Sequence, residues 1–279
     1  MGYDSYYKLR EPPFSFATDE KFYFDSPQHS KALIKLAHAV ENEMGLALLV
    51  GDIGTGKTTL SRRLLDQLIN QDTEATLLVI VHSEITSLWF LKKIALMLEA
   101  VTQSDNKIEI ITAVYHRLLD LVSKNKKIVI LIDEANMLQK KEIMEEIRGL
   151  LNLESEKGKL LNFILFGLPE MEDYLKLDPP LYQRIAVRCV LEPLHSEATL
   201  NYITHRLNVA GCTRTLFTKA AISRIYSYSK GIPRTINAIC DNALLEGFLL
   251  KKETIDDKII EDVCHDLGLA EKEDKPRQL

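Results

Sequence analysis

The chain has 279 residues, of which 46% are hydrophobic and 27% are charged, and its formal net charge is −5. These values are ordinary for a water-soluble globular protein and give no overall attraction toward nucleic acids or anionic lipids. No apolar run approaches the roughly 20 residues that cross a bilayer, the first residues lack a signal-peptide pattern, and the four cysteines fit no metal-ligand spacing. We therefore expect a cytoplasmic protein without a membrane span, folded as one large domain or two smaller ones.

The chain opens with an aromatic, proline-containing segment that is followed by a helix. Phe and Tyr recur up to Pro27, which is typical of an extended strap lying over a domain, because disordered segments are poor in aromatic residues. Ser26 is placed to cap the helix, since Leu33, Leu36 and Val40 recur after it at helical spacing.

Residues 46–58, LALLVGDIGTGKT, are an apolar strand that runs into a glycine-rich loop of the pattern G-x-x-x-x-G-K-S/T, with a predicted helix after it. Such a loop turns successive backbone N–H groups toward phosphate oxygens, its lysine reaches the outer phosphates and its hydroxyl ligates Mg²⁺. A lysine in the first turn of a helix is unfavourable by about 0.3–1 kcal/mol unless an anion is bound, which favours a phosphate site over a glycine turn that binds nothing. The predicted nucleotide contacts are Gly51, Asp52, Ile53, Gly54, Thr55, Gly56, Lys57, Thr58 and Thr59, with Thr58 also a metal ligand.

Four further apolar runs predict strands that alternate with amphipathic helices, and this pattern indicates a parallel sheet covered on both faces. The strands are predicted over 75–81, 127–132, 160–166 and 185–191, and the first two intervening helices over 87–100 and 108–123.

From about Pro193 onward the pattern contains helices alone, and we place a domain boundary there. These helices are predicted over 196–210, 218–229, 233–250 and 255–267. The predicted domains are a P-loop core over 46–193, to which the strap and leading helix of 1–45 belong, a helical lid over 194–268 and a mobile polar tail over 269–279.

Two acidic residues follow the third predicted strand. Asp133 is placed to hold Mg²⁺ through water, and Glu134 to polarise an attacking water, since phosphoryl transfer depends on positioning and charge stabilisation. Acidic residues also commonly cap a following helix, but the phosphate loop about 75 residues upstream favours the catalytic interpretation.

Two arginines are further candidates. Gly231 and Pro233 place Arg234 in the first turn of a helix, where a cation is unfavourable unless it meets an anion such as a γ-phosphate. Arg184, just before the fifth strand, would point outward and complete the site of a neighbouring subunit. The alternative for each is a local ion pair, with Asp241 or Glu246 as the partner of Arg234.

Several segments of the chain resemble the AAA+ ATPases of the general secretion pathway protein A type, a family with secretion, pilus-biogenesis and exopolysaccharide-associated members. The resemblance extends to about Leu269 and rests on GDIGTGKTTL, VILIDEAN, GLPEM, LYQRIAVRCVLEPL, LFTKAAISRI and GIPRTINAICDNALL. It implies an α/β fold with strand order 5-1-4-3-2, a helical lid, and homo-oligomers with ATP at the subunit interfaces.

Residue by residue, the resemblance implies roles for the candidates. Lys57 and Thr58 match the Walker A residues, and Asp133 and Glu134 the Walker B pair. Arg184 matches the arginine finger and Arg234 the sensor-2 arginine. The strap has two interpretations: Phe14 helps to hold the adenine, or the segment packs as ordinary core.

Two departures from the family pattern matter. The family has Gly-Gln-Pro-Glu after the fourth strand, with the Gln as a polar sensor, whereas this chain has Leu168 there and Asn162 lies too early to replace it. Slow hydrolysis, or a switch that mainly binds nucleotide, is therefore an open alternative. Secretion members also continue into a membrane span, so we expect this chain to act through a membrane-anchored partner.

The leading hypothesis is an oligomeric cytoplasmic ATPase that uses ATP and Mg²⁺ to drive assembly of a secretion, pilus or envelope machine. The alternative is an ATP-gated DNA-binding regulator that is similar to transposition helper ATPases. The acidic and basic residues of the predicted lid are roughly balanced, so DNA is the less favoured partner.

Overall fold

The computed structural model describes residues 2–15, 19–69, 72–82, 84–100, 103–156 and 158–269. The predicted mobile tail lies outside these residues, apart from Leu269. Two compact units are formed. The sheet unit consists of Pro27–Asp52 and Lys57–Leu191, and the helical unit of Met1–Ser26, Ile53–Gly56 and Glu192–Leu279.

A five-stranded parallel sheet forms the centre of the sheet unit. Its strands are β1 (Leu46–Gly51), β2 (Thr73–Val79), β3 (Lys127–Asp133), β4 (Asn162–Gly167) and β5 (Ile185–Leu191). Their spatial order is β2-β3-β4-β1-β5, which confirms the order 5-1-4-3-2 implied by the family resemblance. A two-residue ladder between Glu154–Ser155 and Gly158–Lys159 is separate from this sheet.

Twelve α-helices lie within the described ranges, together with short 3₁₀ turns at Glu20–Phe22 and Ala135–Met137. They are α1 (Tyr3–Tyr7), α2 (Pro27–Glu41), α3 (Lys57–Ile69), α4 (Ser87–Met97), α5 (Lys107–Ser123), α6 (Lys141–Leu151), α7 (Met171–Leu175), α8 (Pro179–Tyr182), α9 (Ser196–Val209), α10 (Lys219–Ser229), α11 (Pro233–Leu249) and α12 (Asp257–Asp266). In the described part of the chain, no helix combines the length and apolar character that crossing a bilayer requires.

Both faces of the sheet are covered, as the continuous apolar strands predict. Leu46, Leu48 and Val50 of β1 enter a core with α4, α5 and α6, whereas Ala47 and Leu49 enter a second core with α2 and α3. Alternate strand residues point to opposite faces, so a strand that is buried on both sides must be apolar at every position.

The prediction for the second strand was wrong by two residues. Pairing with β3 starts at Thr73, opposite Lys127, and the strand ends at Val79 instead of residue 81. Val81 is 82% exposed although it belongs to the same apolar run. The partner strand determines the bounds of β2, and local hydrophobicity cannot supply that information.

The strap packs into the helical unit. Phe14 is completely buried and its ring meets that of Phe217 edge-on at 6.2 Å, so it acts as a core residue of this unit. The buried guanidinium of Arg206 donates hydrogen bonds to the carbonyl oxygens of Pro13 (2.5 Å) and Ser15 (3.4 Å), and lies 4.9 Å from the ring centre of Phe22. The sequence-based division assigned residues 1–45 to the P-loop core, whereas Met1–Ser26 cluster with the helical unit.

Candidate functional site

The glycine-rich loop leaves the carboxyl end of β1 at Gly51 and enters α3 at Lys57. Gly54 and Gly56 have φ angles of +81° and +105°, in a region that favours glycine. The flanking elements are held firmly, because β1 is buried throughout and α3 buries Leu60, Leu64 and Leu68 against the sheet. The predicted phosphate-binding loop thus joins a buried strand to a helix N-terminus, the arrangement in which backbone N–H groups bind anions.

Lys57 is buried, and its ammonium group donates hydrogen bonds to the carbonyl oxygens of Gly51 (2.8 Å) and Asp52 (3.0 Å). Burial lowers the pKa of Lys57, and the negative charges of Glu134, Asp133, Asp52 and Glu170 act against that shift. The lysine and both acidic candidates of the sheet unit therefore share one electrostatic environment.

Asp133 is the last residue of β3 and is 1% exposed. Its Oδ1 accepts a hydrogen bond from the main-chain N–H of Glu134 at 3.0 Å, but its buried Oδ2 has no hydrogen-bond partner among the described residues. Only β4 lies between β1 and β3, so Asp133 ends a strand that is about 10 Å from the strand that leads into the loop.

Glu134 is half-buried and adopts a left-handed backbone conformation, with φ +55° and ψ +38°. This conformation is uncommon for a residue with a side chain, and six other non-glycine residues in the described part of the chain share it. The 3₁₀ turn that follows, Ala135–Met137, packs against the end of β4.

Asn162 and Leu168 lie at opposite ends of β4. Asn162 accepts from the N–H of Gly45 (2.9 Å) and donates to the carbonyl of Ile128 (3.1 Å), so it joins β4 to its neighbours at the amino end of the sheet. Leu168 follows the carboxyl end of β4, and its N–H donates to Oδ1 of Asn136 at 3.1 Å. Asn136 is not among the site residues predicted from the sequence, although its position three residues after Asp133 is a usable signal.

Arg234 lies exposed in the first turn of α11, within the helical unit. Its main-chain N–H donates to the carbonyl of Gly54 at 3.3 Å, and a Cβ on Gly54 would be 2.7 Å from the Cβ of Arg234. A glycine is needed at position 54 for this approach as well as for its φ angle. No ion pair joins Arg234 to Asp241, Glu246 or another described residue.

The two arginines near β5 differ in their surroundings. Arg188 forms an ion pair with Glu172 (3.6 Å), donates to the Tyr182 hydroxyl (2.9 Å) and stacks on that ring. Arg184 is half-buried just before β5 and forms no ion pair within the described ranges. Arg184 is therefore the more available of the two for an external anion.

The residues present fit a magnesium-bound nucleotide. Among the described residues, no group hydrogen-bonds Oδ2 of Asp133, and this carboxylate oxygen is the type of ligand that Mg²⁺ prefers. The Thr58 side chain also makes no hydrogen bond in the described part of the chain, so its hydroxyl oxygen is available as a second ligand. No cluster of three or more His, Cys, Asp or Glu side chains suited to a metal occurs among the described residues. A carboxylate and a hydroxyl would be enough protein ligands for Mg²⁺, which usually keeps water and phosphate oxygens as its other ligands.

Comparison with known proteins agrees with this geometry. The family described as "AAA domain" matches residues 40–175, and the chain has the AAA P-loop fold. The chain is similar to general secretion pathway protein A of Aeromonas hydrophila, with 36% identity over 249 residues, 88% of this chain. An uncharacterized HTH-type transcriptional regulator of Methanocaldococcus jannaschii is 28% identical over 155 residues, or 54% of this chain. The chain spans less than half of either relative's length, 45% and 38%.

Solved structures share the fold at low sequence identity. Cdc6p from Pyrobaculum aerophilum has a TM-score of 0.71 at 14% identity, covering 91% of this chain and 70% of that protein. The ORC2 protein of Aeropyrum pernix, solved as ADPNP-ADP complexes, has a TM-score of 0.67 at 15% identity, covering 92% and 71%. The Holliday junction branch migration motor RuvB of Thermotoga maritima has a TM-score of 0.59 at 18% identity, covering 94% and 75%. These likenesses support the AAA P-loop fold.

Proposed function

We propose that this chain binds ATP with Mg²⁺ and hydrolyses it as a homo-oligomer with ATP at the subunit interfaces. The observation that carries the enzymatic part of this proposal is the buried Oδ2 of Asp133, which has no hydrogen-bond partner in the part of the chain that the structure describes. A buried carboxylate oxygen is unfavourable unless a cation or a water completes its coordination. The decisive measurement is phosphate release by the purified chain compared with its Glu134→Gln variant.

Each side chain of the site has its own role in the proposed binding and hydrolysis of ATP. When nucleotide binds, the Lys57 ammonium group donates to phosphate oxygens instead of to the carbonyl oxygens of Gly51 and Asp52. The main-chain N–H groups of the loop donate to the other phosphate oxygens. Bound Mg²⁺ supplies neutralisation of charge on the phosphates, held by Asp133 and Thr58. Glu134 orients and polarises the attacking water, which is the step that distinguishes hydrolysis from binding.

The cellular process in which the chain acts is proposed from its similarity to general secretion pathway protein A. Similarity to general secretion pathway protein A favours a role in secretion, and we propose that the chain is a cytoplasmic ATPase that drives assembly of a secretion, pilus or other envelope machine. The partner would then be a membrane-anchored or assembly protein of that machine.

Arg184 and Arg234 are proposed as the arginine finger and the sensor-2 residue. Arg184→Ala should leave ATP binding intact and lower turnover by up to about 10³-fold, because an arginine finger acts mainly on the charge of the transition state.

Arg234→Ala should lower both ATP affinity and turnover, since its helix contacts the loop at Gly54. Steady-state turnover and nucleotide titration measure both effects.

Matched controls exist in each unit. Arg188→Ala removes a guanidinium that Glu172 and Tyr182 already bind. Arg224→Ala removes a guanidinium that is paired with Glu261 at 2.9 Å. Both variants should hydrolyse ATP at the rate of the parent chain. Mixing Arg184→Ala with Lys57→Ala subunits should restore part of the activity if the arginine acts in trans. Unchanged turnover in Arg184→Ala would assign Arg184 a merely structural role.

A second candidate function is ATP-gated DNA binding, favoured by the similarity to a protein described as an HTH-type transcriptional regulator. It predicts that ATP promotes retardation of duplex DNA, with affinity that falls steeply as salt rises. A gel-shift titration at low salt with ATP, with ADP and without nucleotide is the test. No retardation in any lane would eliminate this candidate.

A further inference from the structure

The carboxyl ends of β3 and β4 meet at a contact that the roles proposed above for the site residues do not explain. Leu168 places an apolar side chain at the end of β4, where it cannot hydrogen-bond a phosphate or a water. The polar side chain at this junction comes instead from Asn136, which is 3% exposed and follows Asp133 by one tight turn.

The orientation of the Asn136 carboxamide follows from chemistry. The main-chain N–H of Leu168 lies 3.1 Å from its oxygen and can only donate, so that atom must be the acceptor Oδ1. The amide nitrogen therefore keeps both of its N–H donors, and it has no protein acceptor among the described residues.

Gly167 makes this close approach feasible. A Cβ at position 167 would lie 3.2 Å from the main-chain nitrogen of Asn136 and 3.3 Å from its Oδ1, tighter than ordinary contact. The turn after β3 is thus packed directly on the backbone of β4, and the carboxamide is held in place without a charged partner.

We propose that Asn136 donates through Nδ2 to the terminal phosphate, and so supplies the polar contact that Leu168 lacks. The acidic residues one turn earlier, Asp133 and Glu134, accept protons or bind cations but offer no donor when ionised. A fixed amide donor beside them stabilises the additional negative charge of a triphosphate over a diphosphate. This inference rests on the proposed nucleotide function of the same site.

The test compares the affinities of the parent chain and its variants for ADPNP, a non-hydrolysable ATP analogue, and for ADP. Asn136→Ala should weaken ADPNP binding roughly 10–100-fold with little change in ADP binding, because a hydrogen bond to a charged group is lost only where the γ-phosphate is present. Asn136→Asp keeps an acceptor for the Leu168 N–H but removes the donor, and should reduce the ADPNP-to-ADP affinity ratio at least as far. Leu168→Gln in the Asn136→Ala background should restore part of the ratio.

Asn162→Ala is the matched control, since Asn162 is equally buried at the other end of β4. It should lower the melting temperature, because two buried hydrogen bonds are lost, and leave the ADPNP-to-ADP ratio unchanged. A ratio in both Asn136 variants that matches the parent would overturn the proposal. If the parent chain released no phosphate, the proposed hydrolysis would be wrong. The proposed role of Asn136 would still be tested, because the ADPNP-to-ADP affinity ratio is measured without turnover.

Discussion

Lys57→Ala should abolish nucleotide binding by the isolated chain. Lys57 makes two buried hydrogen bonds, to Gly51 and Asp52, and these donors pass to phosphate oxygens when nucleotide binds. Two charge-assisted hydrogen bonds at about 1.5–3 kcal/mol each correspond to a loss of roughly 10²–10⁴-fold in affinity. Titration with a fluorescent nucleotide measures the loss directly.

Thermal unfolding provides an independent readout of the same variant. Nucleotide at 100 times its Kd should stabilise the parent chain by about 2.7 kcal/mol, whereas Lys57→Ala should gain almost nothing. Lys31→Ala is the control, because it removes an exposed lysine of the same unit, on α2. If Lys57→Ala were stabilised by ATP as strongly as Lys31→Ala, the loop would not be the phosphate site.

Glu134→Gln should lower phosphate release by about 10²–10⁴-fold while nucleotide binding is retained, the range typical of losing a general base. The exchange keeps the shape of the side chain and the left-handed backbone at position 134, and removes only the charge that polarises water. Phosphate release is measured across a range of protein concentrations, because an interfacial site requires association.

Glu142→Gln is the control for the loss of one negative charge, since Glu142 is exposed in the first turn of α6. It should hydrolyse ATP like the parent. Equal turnover in the Glu134→Gln variant and the parent would exclude Glu134 as the base. Negligible turnover in both, with ATP still bound, would favour the nucleotide-switch alternative raised by Leu168.

The phosphate loop and the helical C-terminal part were readable from the sequence because their signals are local. Glycine spacing, an apolar run and a helical period occur within a few residues of each other, and the structure forms the corresponding elements close to the predicted bounds. The strand order could not be predicted from such local signals, because they do not specify which strands are neighbours. It was predicted from the family resemblance instead.

By itself, then, the sequence determined a glycine-rich loop between a strand and a helix, with an acidic pair after a buried strand, since these depend on residue type and short spacing. Only the tertiary structure decided which surface the strap covers, where β2 ends and which polar group faces Leu168. Arg206 meets Pro13 across 193 positions, and Asn136 meets Leu168 across 32. Contacts of this kind arise from packing between distant segments, and no local propensity encodes them.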